Sequence, residues 1–212
     1  MPIENCRGKN KEEIIKNYNL VPITYVKLLR GQQKENCCGG YLKDKYYAFE
    51  YHHKINISDN GGFFVGYDCA EQLFNLLSID KNDYPLFNPI KQLTAGTTGT
   101  GGTAGTTSKN KIHGLNKEVY NAINLMCMAW NTPPYGKILN TYNYVKNPLN
   151  KPTQPWAIKD INYIIGRYST TLTDIVNNLR TLEPNLKIFK FPEMNQIIDD
   201  MITRGEITQN NI

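Results

Sequence analysis

No apolar run in this 212-residue chain approaches the ~20 residues that cross a bilayer, and its first residues, MPIENCRGKNKEEIIKNY, lack the basic-then-apolar order of a secretory leader. The expectation is a soluble, cytoplasmic protein with no membrane contact. Phosphate-binding loops are also missing. Neither G-x-x-x-x-G-K-[ST] nor G-x-G-x-x-G occurs, and the glycines from Gly99 to Gly105 have no lysine placed to grip a phosphate. A G-x-S-x-G nucleophile elbow is absent as well, which removes that route to acyl transfer. Cysteine is sparse: the five present are too few and too unevenly placed for a secreted disulfide framework, and adjacent Cys37 and Cys38 make a simple bridge harder still. In a reducing compartment such cysteines bind metal or are buried.

Charge of one sign does not dominate either. The formal net charge is +5, and it lies in the second half: residues 1–93 carry 12 Lys and Arg against 11 Asp and Glu, whereas residues 109–212 carry 12 against 8. This permits a nucleic-acid partner without requiring one. With 40% hydrophobic and 20% charged residues, the chain can bury one sizeable core or two small ones.

Residues 94–108, TAGTTGTGGTAGTTS, hold no apolar side chain larger than alanine and no charge, so they predict a flexible linker between two domains, 1–93 and 109–212. In the first domain, NKEEIIKNYN predicts a short helix, while residues 20–30 fit a helix opened by Pro22 or an edge strand it interrupts. Tyr47, Phe49, Tyr51, His53, Ile55 and Ile57 alternate with polar or small neighbours, predicting a strand with that set facing inward. Ser58 to Gly62 turns the chain back into Phe63–Val65. Asp68, with Glu71 three residues on, predicts a capped helix bearing Ala70, Leu73, Phe74 and Leu77 on its apolar stripe.

The second domain is mainly helical by period. One helix is expected from Asn116 to the Pro133-Pro134 stop, another carries Ile158, Ile161 and Ile165, and a third is capped by Ser169 or Thr170. A strand-like LKIFKF leads to a last helix stopped by Gly205, and the terminal TQNNI is expected to fray. Cys127 falls within the first of these helices and is expected in the core. The fold class predicted for the whole chain is α+β.

Three cysteines and two histidines gather between Cys37 and Cys69, around the expected hairpin and helix start. A hairpin followed by a helix N-terminus can bring two pairs of zinc ligands together from far apart in sequence. The residues expected to hold the metal are Cys37, Cys38, His53 and Cys69, with Cys6 and His52 able to complete or replace members of the set.

The string Cys38-Gly39, His53 and Val65-Gly66-Tyr67-Asp68-Cys69-Ala70 resembles small treble-clef zinc modules of bacterial and phage proteins, over residues 36–77. The departure is Glu35, which stands where the knuckle's first cysteine is expected. The resemblance implies a structural zinc and a protein of phage, plasmid or host-defence context that meets nucleic acid or a complex processing it. Tyr51-His52-His53-Lys54-Ile55 with Gly61-Gly62 is similar to HNH nucleases, which implies the alternative of a ββα-metal endonuclease with His53 as general base and His52 or Glu50 holding a divalent ion. The asparagine expected before the helix is missing, and Asn75 stands where a helix ligand is wanted. A third alternative is an inhibitor or adaptor that binds only protein.

Overall fold

The computed structural model describes residues 3, 5–91, 112–147 and 149–212, so the Thr-Gly segment expected as a linker lies outside the described residues. Mixed α and β elements make up the chain, in agreement with the α+β expectation. Its internal contacts divide into two units, Met1–Pro89 and Ile90–Ile212.

The first unit opens with helix α1 (Asn10–Asn17), followed by β1 (Tyr18–Lys27), a two-stranded ribbon of β2 (Lys34–Glu35) and β3 (Tyr41–Leu42), β4 (Lys45–His53), β5 (Asn60–Val65), helix α2 (Tyr67–Leu77) and β6 (Leu86–Phe87). The main sheet has the order β5-β4-β1-β6, antiparallel except for the parallel β1/β6 pair. The ambiguous residues after Asn19 are thus strand. Proline has no N–H for a ladder, and β1 accommodates Pro22 by a register shift between Pro22 and Thr24; β6 meets β1 only at Tyr25 and Val26, past the proline.

Tyr47, Phe49 and Tyr51 point into a core shared with Phe63, Val65, Ala70, Leu73 and Phe74, as their alternation predicts. Phe74 packs on Tyr47 and Phe49 with ring centroids at 5.2 and 5.5 Å. The opposite set was expected to face outward, yet Tyr46 and Ala48 are buried too. Lys34 from the ribbon lies over the rings of Tyr46 and Phe64 on that face, its Nζ 5.3 Å and 4.6 Å from their centroids, a cation–π contact on the second face of the sheet.

Two further expectations are corrected here. The strand ends at His53 rather than running through Ile57, and Ile55 and Ile57 are 89% and 87% exposed. The reason is local: His53 Nδ1 accepts from the backbone N–H of Ile55 at 3.1 Å and of Asn56 at 3.0 Å, which bends the chain out of the sheet. Helix α2 starts from Gly66, without a side-chain cap, so Asp68 lies inside the first turn instead of capping it.

The second unit consists of α3 (Gly114–Ala129), α4 (Gly136–Val145), α5 (Pro155–Arg167), α6 (Leu172–Leu182) and α7 (Pro192–Thr203). Their apolar stripes meet in a core that includes Val119, Ile123, Ile161, Ile165, Leu172, Met194 and Ile198, with Cys127 buried as expected. The α3 cap is His113, whose Nδ1 accepts from Leu115 N–H at 3.2 Å. Asn116, expected as that cap, is fully buried and holds the loop before α5 through Lys151 and Thr153. At α6 the cap is Thr171, which forms a reciprocal box with Asp174. The expected fraying of the tail is also corrected: Asn211 and Ile212 are buried, and the Asn211 amide donates to Asn162 Oδ1 at 2.6 Å while its carbonyl accepts from Leu172 N–H at 2.7 Å. Buried polar groups with partners of this kind hold these residues against the helices.

Candidate metal centre

The site begins in the ribbon. β2 and β3 are joined by Asn36-Cys37-Cys38-Gly39-Gly40, and Asn36 closes that loop three ways: its N–H donates to Gly40 O, its carbonyl accepts from Gly39 N–H, and its Oδ1 accepts from Cys38 N–H. Gly39 and Gly40 have φ of +87° and +76°, the left-handed region that side chains disfavour, and this is what lets so short a loop turn. Cys37 N–H donates to Phe64 O at 2.9 Å, which docks the loop on β5.

The segment before α1 lies alongside. Cys6 N–H donates to Cys37 O, Cys37 Sγ donates to Ile3 O at 3.3 Å, Cys38 Sγ donates to Cys6 O at 3.2 Å, and Arg7 Nε donates to Cys38 O. From the other side, Cys69 is the third residue of α2, in the uncapped first turn whose N–H groups favour negative charge.

Cys6, Cys38 and Cys69 therefore converge: their three Sγ atoms all lie within 4.8 Å of one another, and Cys6 Sγ is 2.8 Å from Cys38 Sγ. Cys6 and Cys38 are buried and Cys69 is partly so. A cluster of this kind, with soft donors from three separate segments, can hold a metal ion. Cys37 is outside this trio, tied to it through its carbonyl, which accepts from Cys6 N–H.

The protonation of these thiols follows from their crowding. Hydrogen bonding to Cys37 pushes the Cys6 thiol up, and burial and Cys38 push it further. Burial takes Cys38 up to about 11; its bond to Cys6 works the other way, and Cys69 adds to the rise. Cys37 is held below its ordinary value by the hydrogen bond from Cys6, against its own burial and with help from the charge of Lys11. That lysine is itself buried, with Nζ donating to Gln72 Oε1 of α2 at 2.9 Å. Negative charge cannot spread over adjacent buried sulfurs unless a cation sits among them.

Of the four residues expected as ligands, Cys38 and Cys69 are in the trio, and Cys37 borders it. His53 is elsewhere, five residues along β4 from Ala48, the partner of Phe64, which at ~3.3 Å per residue is roughly 16 Å away along the strand. Its ring meets Tyr18 edge-on, with centroids at 4.9 Å. His52 is on the surface, with Nε2 3.4 Å from Glu50 Oε1. Cys6 is the member that spacing undervalues, because it precedes the knuckle by more than thirty residues; Asn36 and Lys11 carried no signal of their own, being ordinary surface residue types.

The family model described as "Uncharacterised conserved protein UCP028583" matches residues 4–206. The chain belongs to that family. The matched span takes in most of both units and all three clustered cysteines. No curated protein and no solved structure matches the chain.

Proposed function

We propose that this chain is a zinc-stabilised protein that binds nucleic acid, its first unit built as a treble-clef-like module around Cys6, Cys37, Cys38 and Cys69. The observation that carries the reading is the trio of thiols within 4.8 Å, supplied by the N-terminal segment, the ribbon loop and the start of α2. Tetrahedral zinc with Zn–S of ~2.3 Å separates sulfurs by about 3.8 Å, within the span of this trio. Cys37, next to Cys38 in the ribbon loop, would supply the fourth sulfur by turning its thiol from Ile3 O toward the trio. An all-thiolate set leaves no open position for a reacting water, so the metal's part is to hold the fold together.

A nucleic-acid partner is supported by the net charge of +5 and its concentration in residues 109–212. The endonuclease alternative asks more of His53 than its surroundings give. A neutral imidazole has one acceptor nitrogen, and Nδ1 spends it on Ile55 and Asn56, leaving Nε2 as the N–H bearer. Such a ring has no lone pair for a water proton or a metal.

The test joins composition to binding. Protein purified without chelator is expected to hold one zinc per chain, and to bind nucleic acid with an affinity that falls as salt rises. Elemental analysis finding no metal, or a Cys6–Cys38 disulfide in its place, overturns the zinc; salt-independent or absent binding overturns the partner. Mg²⁺-dependent cleavage would favour the nuclease.

A further inference from the structure

We propose that a cleft in the second unit, between the C-terminal end of α3, the start of α4 and the last turns of α5, stacks the bases of single-stranded nucleic acid. The cleft encloses about 590 Å³, room for a base and its sugar, within the usual range for ligand sites. One wall is a prepared aromatic platform: Trp130 and Tyr168 lie nearly parallel, with centroids at 4.3 Å and planes 23° apart. Tyr135 and Tyr163, 65% and 64% exposed, line the same cleft. Single exposed rings are ordinary, but four around one cleft form the kind of patch that marks a binding surface.

Charge decides what those rings receive. The cleft's carboxylate, Asp160, is answered by Lys137, whose Nζ is 3.6 Å from Oδ2. Arg167 makes no hydrogen bond or ion pair among the described residues. The lining thus keeps an unanswered cation beside open π faces, the combination that tracks a phosphate backbone while bases stack without regard to their edges. Proline-rich peptides also use aromatic grooves, but here the surplus charge calls for an anion. Bases in a duplex are already stacked and out of reach, so the ligand is single-stranded.

This inference rests on the nucleic-acid reading above, and the experiment separates the two. Trp130 and Trp156 are the chain's two tryptophans, so the full-length Trp156→Phe protein reports from the cleft alone. Titration with a fluorescein-labelled 12-nucleotide oligo-dT is expected to quench Trp130 emission in step with the anisotropy rise. Tyr135→Ala and Tyr163→Ala, both at exposed positions, should each weaken binding roughly 5- to 100-fold with unchanged circular dichroism, as loss of a stacking ring does. Arg167→Ala should flatten the log K against log salt slope by about 0.7, one phosphate contact on a single strand. Oligonucleotide binding without quenching, untouched by the three substitutions, overturns the cleft and leaves the nucleic-acid reading standing. Binding of duplex only, or quenching by a polyproline peptide and not by oligo-dT, also overturns the cleft. No binding of any nucleic acid overturns both.

Discussion

Cys69 and His53 stood as equals in the spacing argument, and the structure gives them different work. Cys69 Sγ is one of three sulfurs in a common cluster, while His53 spends Nδ1 on two backbone amides at the end of β4. Cys69→Ser is therefore expected to lose the metal and to lower the melting transition of the first unit. His53→Ala should retain a full metal equivalent and lose about 1–2 kcal/mol of stability, the ordinary net worth of the two hydrogen bonds given up. Metal content by elemental analysis, paired with urea melts, reads both; a metal-free His53→Ala protein would return the histidine to the ligand set. What made Cys38 and Cys69 legible was their attachment to local features, a glycine turn and a helix start. Cys6 had no such neighbour, and nothing short of the tertiary path of residues 5–7 places its thiol 2.8 Å from Cys38.

At the scale of elements, the sequence pattern located the central hairpin and the helices other than α4 (Gly136–Val145), which it did not anticipate, but the starts of α3 and α6 were set by side chains whose partners lie two or three residues away. His113 and Thr171, rather than Asn116 and Ser169 or Thr170, cap α3 and α6. Asn116 looked like a cap because its residue type favours one; its burial against the loop 151–153 is a tertiary choice that no local pattern records. The tail was misjudged for a related reason, since TQNNI is polar and terminal, yet Asn162 on α5 offers it a buried partner. The capping box permits a direct check. Thr171→Ala removes the Oγ1 that accepts from Asp174 N–H at 3.0 Å and should cost about 1 kcal/mol, in the range found for such caps. Thermal melts of the variant with no change beyond 0.3 kcal/mol, roughly the error of such measurements, would mean that packing alone sets the start of α6.

For the whole molecule, the question is how the metal enters the stability of a chain with two compact units. The apolar cluster around the thiols draws only on residues of the first unit, so metal loss is expected to act there and to leave the helices of the second unit to melt in their own transition. The sign of the pH dependence then distinguishes the metal-free from the metal-bound protein. Without metal, the thiols of Cys6 and Cys38 are raised, Cys38 to about 11, above their ordinary value of 9.0. A raised folded pKa means that the folded protein holds protons the unfolded chain has released, so this contribution is complete below pH 9.0 and is lost as pH rises toward 11. Cys37, held low, opposes the trend, but it is one thiol against two. With metal bound, all ligating thiols are ionised in the fold, their pKa values are depressed, and stability is instead lost as pH falls and protons compete with the cation. Chelator-treated protein should therefore lose its first transition on the alkaline side, and untreated protein on the acid side. The measurement is a pair of guanidinium melts across pH 5 to 11, followed by circular dichroism; identical profiles for the two forms would mean that these sulfurs hold no metal in the folded chain.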